Sequence, residues 1–386
     1  MEKRLLVTSA GSTGSNNLTW SLRAGDPSFV VIGCNSDRFV LKQSSADRNY
    51  LVAPADHLDF ANLVYRTVEA EHIDLLIPTL DSDVKAMSRL RGEIPCRLFL
   101  PDESVIDLCQ DKYELTAFLR TRGLPAPLTY TVTDLDGIEG LFRRLAPRKR
   151  LWCRMRRGTG SMAAIPVKSP EQARSWISYW HVMRGVPPTS FTLSEYLPGR
   201  DFACQCLWKN GDLVLIKTTE RLSYFWGGST VSGASSIGAV AKTVFEPRVV
   251  DVSTAAIRAL DERVSGAFSV DLKEDASGVP YITEINVGRF VTGTPLFDLT
   301  GKHNMALTYV RLAMDELLDI SEPYDVVEDY YMVRDLDSLP GIYHADELFE
   351  GIVDAACLPA VLTERQERRE RDGSSDPARA HSRGAC

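Results

Sequence analysis

Two carboxylates and a side-chain amide, Asp271, Glu284 and Asn286, fall where the sequence pattern places them on one surface. The runs Phe268-Val270-Leu272 and Tyr281-Thr283-Ile285 alternate with period two on either side of Ser277-Gly278, which offers a two-residue hairpin turn. A turn centred there sets Asp271 directly opposite Glu284, with Asn286 two residues further along the same face. Like charges so placed repel and call for a cation. Oxygen ligands of this kind suit Mg²⁺, with Mn²⁺ as a substitute, because such ions take a couple of carboxylates and complete their shell with nucleotide phosphates. The alternative is a solvated hairpin face that carries acids by accident.

Other segments could serve a nucleotide. No GxxxxGK[ST] run occurs, which excludes a P-loop. A glycine loop, Arg156 to Ser161, lies between expected strands at Leu151–Met155 and Ala163–Val167. Gly158 and Gly160 let backbone amides approach phosphate oxygens, and Arg154, Arg156 and Arg157 add positive charge. A hairpin turn with surface arginines has the same pattern. In Ser194 to Asp201, an extended stretch could present its backbone to an adenine edge and Asp201 to a ribose hydroxyl. Lys217 to Ser236, rich in Gly, Ser and aromatics, is a candidate substrate loop in which Lys217 and Arg221 could bind a carboxylate, unless they line a solvated β-edge. Gly288 to Lys302 is a second candidate wall.

Composition narrows the field. At 386 residues and 44% hydrophobic content, the chain is long enough for two or three domains with proper cores. A net charge of −8 argues against nucleic-acid binding, which needs clustered Lys and Arg. No apolar run approaches the ~18 residues of a membrane span, and Met-Glu-Lys-Arg leads straight into a strand without a signal-peptide pattern, so a cytoplasmic location is expected. Eight scattered cysteines form no CxxC pair and find no His at zinc-site spacing, and they read as reduced and structural.

The elements that must hold these residues fall into sections. Residues 1–110 alternate strands (Arg4–Thr8, Phe29–Gly33, Tyr50–Val52, Leu75–Pro78, Arg97–Leu100) with helices such as Asn17–Arg23 and Phe60–Ala70, the rhythm of a parallel sheet wrapped by helices. After the first strand, GSTGS offers GxxG where a dinucleotide site wants GxGxxG, and Asp37 follows the second strand, so a nicotinamide or flavin site stays open. Residues 111–190 change texture: a helix over Asp111–Arg122 stopped by GLPAP, a helix near Leu135–Leu145, the glycine loop, and a helix over Pro170–Met183. Residues 191–320 are strand-rich up to Asn286 and helical over Asn304–Leu318; 321–362 form a C-terminal packing segment. From Thr363 to Cys386 almost no apolar residue remains, and disorder is expected.

The order of these motifs resembles the ATP-grasp superfamily, and within it the carbamoyl-phosphate-synthase-like carboxylate–amine ligases, across roughly residues 3 to 345. The resemblance implies an α/β and α+β fold: a Rossmann-like parallel-sheet domain followed by a two-lobed ATP-grasp fold. It assigns Lys112 and Arg154 to ATP phosphates, Glu195, Tyr196 and Leu197 to adenine, Asp201 to ribose, and Asp271, Glu284 and Asn286 to Mg²⁺. Arg289 would stabilise the transferring phosphoryl group, although Val287-Gly288-Arg289 stands where the common pattern is Pro-Arg, so that Arg289 sits one residue out of place. The implied reaction activates a small-molecule carboxylate as an acyl phosphate and couples it to an amine, releasing ADP and phosphate, with homodimerisation compatible. Two other readings stand beside it: an NAD(P)-dependent oxidoreductase built on GSTGS and Asp37, and a non-catalytic nucleotide-binding protein.

Overall fold

The structure, a computed structural model, describes residues 2–335 except 147, 159, 231, 234 and 236, together with 341–348. Met1–Ala345 form one unit. The expected disordered tail, 363–386, lies outside the described residues.

The first hundred residues build a parallel sheet from β1 (Arg4–Thr8), β2 (Val30–Asn35), β3 (Arg48–Leu51), β4 (Leu75–Ile77) and β5 (Arg97–Leu98), in the order β3-β2-β1-β4-β5. All four pairings are parallel, so helices must carry the chain back each time. These are α1 (Thr13–Gly25), α2 (Arg38–Leu41), α3 (Phe60–Glu71) and α4 (Asp81–Arg89); α5 (Glu103–Cys109) follows the last strand. β1 shows why its strand reads as an unbroken apolar run: Leu6 packs with Ile32 and Leu76 on one side, Leu5 and Val7 with Leu18, Leu22 and Leu75 on the other. At the end of β1, Gly11 has φ +90°, and a Cβ there would lie 1.9 Å from the Val40 carbonyl oxygen, so only glycine lets α2 close over the turn.

A four-stranded antiparallel sheet follows, made by β6 (Thr129–Thr131), β7 (Leu151–Met155), β8 (Ile165–Val167) and β9 (Phe191–Glu195) in the order β6-β9-β7-β8. Its helices are α6 (Lys112–Thr121), α7 (Ile138–Arg144) and α8 (Pro170–Arg184). Because β9 pairs with both β6 and β7, this sheet runs to Glu195, past the boundary expected at 190.

The remaining strands form an antiparallel sheet of seven: β10 (Asp201–Lys209), β11 (Asp212–Tyr224), β12 (Gly238–Thr243), β13 (Gly266–Glu274), β14 (Pro280–Val287), β15 (Tyr330–Val333) and β16 (Gly341–His344), ordered β14-β13-β10-β11-β12-β15-β16. α9 (Pro247–Leu260), α10 (Thr294–Thr300) and α11 (Met305–Ala313) accompany it. Two expectations are corrected here. The helix expected over Asn304–Leu318 ends at Ala313, because Asp315 turns left-handed with φ +58°, and the short α10 precedes it. The segment after 320 does not merely pack; it adds β15 and β16 to the sheet edge. Among the described residues no helix is long and apolar enough to cross a membrane.

Candidate active site

A pocket of about 710 Å³ runs between the three sheets, with the β13–β14 hairpin at its centre. Asp271 pairs opposite Glu284, and Asn286 opposite Ser269, as expected. The route to that register differs from the expected one. The loop is five residues long, Asp275 to Val279, closed by the Asp275 carboxylate accepting from the Ser277 and Val279 amides, and this shifts the lower register by one residue. A bulge at Thr283 shifts it back. Arg154 fastens the bulge by donating to the Thr283 carbonyl at 2.8 Å, while the Thr283 hydroxyl donates to the Asp271 carbonyl.

The opposed acids are neutralised by the protein's own cations. Arg221 donates from Nη2 to Asp271 at 2.5 Å and pairs through Nη1 with Asp201 at 3.1 Å. Lys112 Nζ lies 3.3 Å from Glu284 and donates to the Gly158 carbonyl at 2.7 Å, tying the glycine loop to the hairpin. The Asn286 amide donates to Asp271. Burial pushes the Asp271 carboxyl above the ordinary carboxylate value; Arg221 opposes the shift and Glu284 adds to it. Burial likewise pulls Arg154 down, against the pull of Glu284 and Asp271, and its Nε is buried without a partner.

Of the three loop arginines, only Arg154 lines the pocket. Arg156 and Arg157 are taken up by Asp111, the N-cap of α6, whose carboxyl burial would raise but these guanidinium groups hold low. Gly158 and Gly160, with φ +116° and +79°, line the pocket opposite the hairpin. At its far end stand Glu195, Tyr196 and Leu197 with Trp152 and Pro127. The Glu195 carboxylate is held by Arg148 and the Leu128 amide, whereas the backbone of Tyr196 and Leu197 makes no backbone hydrogen bond among the described residues. Asp201 opens β10 and accepts from Arg221, from Tyr224 Oη at 2.7 Å and from Lys273.

Arg289 also reaches the pocket. Gly288 adopts φ +72° and turns the chain so that Arg289 donates from Nη2 to Asn286 Oδ1 and from Nε to Asp81 on α4, both at 2.5 Å. The sequence offered no sign of Asp81, because it lies two hundred residues away on a helix to which the pattern gave no bounds.

No protein-family model matches this chain, and no curated protein does. Solved structures do. The L-amino acid ligase from Bacillus licheniformis superimposes with a TM-score of 0.64 at 13% identity, covering 86% of this chain and 78% of that one. A biotin carboxylase from Campylobacter jejuni, solved as an ATP-analogue complex, gives 0.66 at 13% identity over 86% and 74%. N5-carboxyaminoimidazole ribonucleotide synthetase from Thermotoga maritima gives 0.59 at 17% identity over 86% and 80%. The chain has the ATP-grasp fold.

On that ATP-grasp scaffold several expectations need revision. Lys217, expected to meet a substrate carboxylate, is 2% exposed; its ammonium donates to the carbonyls of Phe297 and His303 and pairs with Asp325 at 3.1 Å, behind the pocket wall. Arg221 does line the pocket but spans Asp201 and Asp271. Asp37 caps α2, its Oδ1 accepting from the Phe39 and Val40 amides. Arg334 was missed altogether. It follows β15, is 7% exposed, donates to the Thr292 carbonyl, and keeps Nε and Nη1 buried without partners among the described residues, with its basicity lowered by burial to about 10.

The donor set can be tested against a metal. Among the described residues no group of three or more His, Cys, Asp or Glu is disposed to hold one. Asp271, Glu284 and Asn286 present hard oxygens only, too few for a closed cage, which fits Mg²⁺ or Mn²⁺ arriving with polyphosphate and does not fit a structural zinc.

Proposed function

We propose that this chain is an ADP-forming, ATP-dependent ligase that activates a small-molecule carboxylate and couples it to an amine. The observation that carries the reading is the hairpin face of Asp271, Glu284 and Asn286 set in one pocket with Lys112, Arg154 and Arg289. The comparisons support the scaffold. ATP would supply the phosphoryl group and the ion would neutralise charge as that group moves.

The chain's own residues would do the rest. Tyr196 and Leu197 offer backbone groups and an apolar slot to adenine, and Asp201 offers its carboxylate to ribose. Lys112 and Arg154 would hold phosphates, and Asp271, Glu284 and Asn286 would hold Mg²⁺ or Mn²⁺. Arg289, braced by Asp81, would face the transferring phosphoryl. The glycine loop, fastened through Gly158 to Lys112, would exclude water from the activated acid. The proposed sections, 111–190 as small lobe and 191–320 as large lobe, differ from the observed sheets in placing β9 and in leaving out β15 and β16.

The test is an ADP-release screen with Mg²⁺ over pooled amino acids, dipeptides and small acids, with mass detection of the product. ADP release that depends on an acid and yields an amide is expected. A chain that binds NAD(P)H and releases no ADP with any pool would sink the reading.

A further inference from the structure

Beyond the hairpin acids the pocket ends on Ala241 of β12, Leu296 of α10 and Met332 of β15, which pack as a small hydrophobic cluster of their own, backed by Tyr330 and Ile342. That wall is preformed. Lys217 holds α10 from behind through the Phe297 carbonyl, and Asp325 holds Lys217. Arg334 adjoins the wall: its Nη2 lies 2.9 Å from the Met332 sulfur, and its other two nitrogens are buried without a partner among the described residues.

An apolar wall set in one pocket with the Arg289 guanidinium complements a molecule with an anionic head and an apolar tail. Bicarbonate, a substrate without a tail, would leave the wall facing water and the cluster unfilled. Resting on the ligase reading above, we propose that the acid activated here carries an aliphatic side chain seated against Ala241, Leu296 and Met332. Each methylene added to that chain should improve kcat/KM about four-fold until the space is filled, as expected for burial of one methylene.

The experiment measures MgATP-dependent ADP release, in the presence of a mixed amine pool, against bicarbonate, aspartate and the series glycine, alanine, valine and leucine, alongside acetate through hexanoate. A rise with chain length supports the proposal. Ala241→Leu, which fills the space, should then move the optimum to shorter acids and raise KM for the longest acid at least ten-fold. Met332→Ala should move the optimum to longer ones; it decides the matter if Ala241→Leu fails to fold. ADP release with bicarbonate alone, or a series flat in chain length, overturns the proposal while leaving the ligase reading intact. No ADP release with any acid, together with no thermal protection by MgATP, overturns both.

Discussion

Replacing Glu284 by Gln keeps shape and hydrogen-bonding capacity but removes one charge. Repulsion from Asp271 alone would make this substitution stabilising. The structure changes the sign, because Lys112 lies 3.3 Å away and Arg154 also feels the charge. A pair at 3.3 Å is worth about 5 kcal/mol gross at an effective dielectric of about 20. Most of that is cancelled by desolvation and by relief of the repulsion, leaving a net loss of about 1–2 kcal/mol. The variant should therefore melt a few degrees lower, measured by calorimetry without nucleotide. In the Lys112→Met background the same substitution should cost less or stabilise, since the repulsion from Asp271 is then opposed only by the weaker pull of Arg154; a double-mutant cycle reads the coupling directly. ADP formation should fall by two orders of magnitude or more, because phosphoryl transfer loses a positioned metal ligand. Melting that drops by tens of degrees while the soluble remainder keeps full activity would show Glu284 to be a structural acid and refute the metal-face argument.

Three further outcomes are expected. ATP should raise the melting temperature only when Mg²⁺ or Mn²⁺ is present, and equal protection in EDTA would count against the hairpin as the nucleotide's anchor. Gly158→Ala and Gly160→Ala meet open space but positive φ, so each should strain the backbone by about 1–2 kcal/mol and slow ADP release more than it weakens MgATP binding; unchanged turnover would return the loop to an ordinary turn. Asp298, lifted by burial to about 6 from 3.8 against the pull of Lys217, favours the folded state when protonated. Its contribution is full below about pH 4 and lost as pH rises through 6, at most about 3 kcal/mol. Asp298→Asn should therefore gain stability relative to the parent between pH 4 and pH 7; a difference in urea midpoint that stays constant with pH would rule this out.

Much of the scaffold was legible because its signals are local. The five parallel strands announced themselves as short apolar runs between helical patterns, and GLPAP after Arg122 marked the end of α6. The Asp271–Glu284 register was reached through two errors that offset each other. The sequence suggested a two-residue turn at Ser277-Gly278, but the Asp275 side chain captures two amides and lengthens the loop, and only the bulge at Thr283, pinned by a distant arginine, restores the pairing. Nothing local distinguishes Lys217 from Arg221 two turns of the pleat away. Their different fates are decided by Asp325 and the α10 carbonyls in one case and by Asp201 and Asp271 in the other, all distant in sequence. Arg334 carries no motif; its burial becomes visible only when β15 joins the sheet edge.

Gly288 sets a rule for anyone who would recombine these parts. A side chain there would press within 3.0 Å of Val84 and Leu100, and the residue after it depends on Asp81. The exit of β14 is thus fitted to the amino-terminal parallel sheet as a key is to one lock. A chimera that keeps 111–345 and takes its first hundred residues from another protein inherits a tight groove requirement at α4 and an arginine without its acid. Exchange would have to move Asp81, Val84 and Leu100 together with the hairpin, which makes the amino-terminal section part of the pocket's own structure and not an interchangeable accessory.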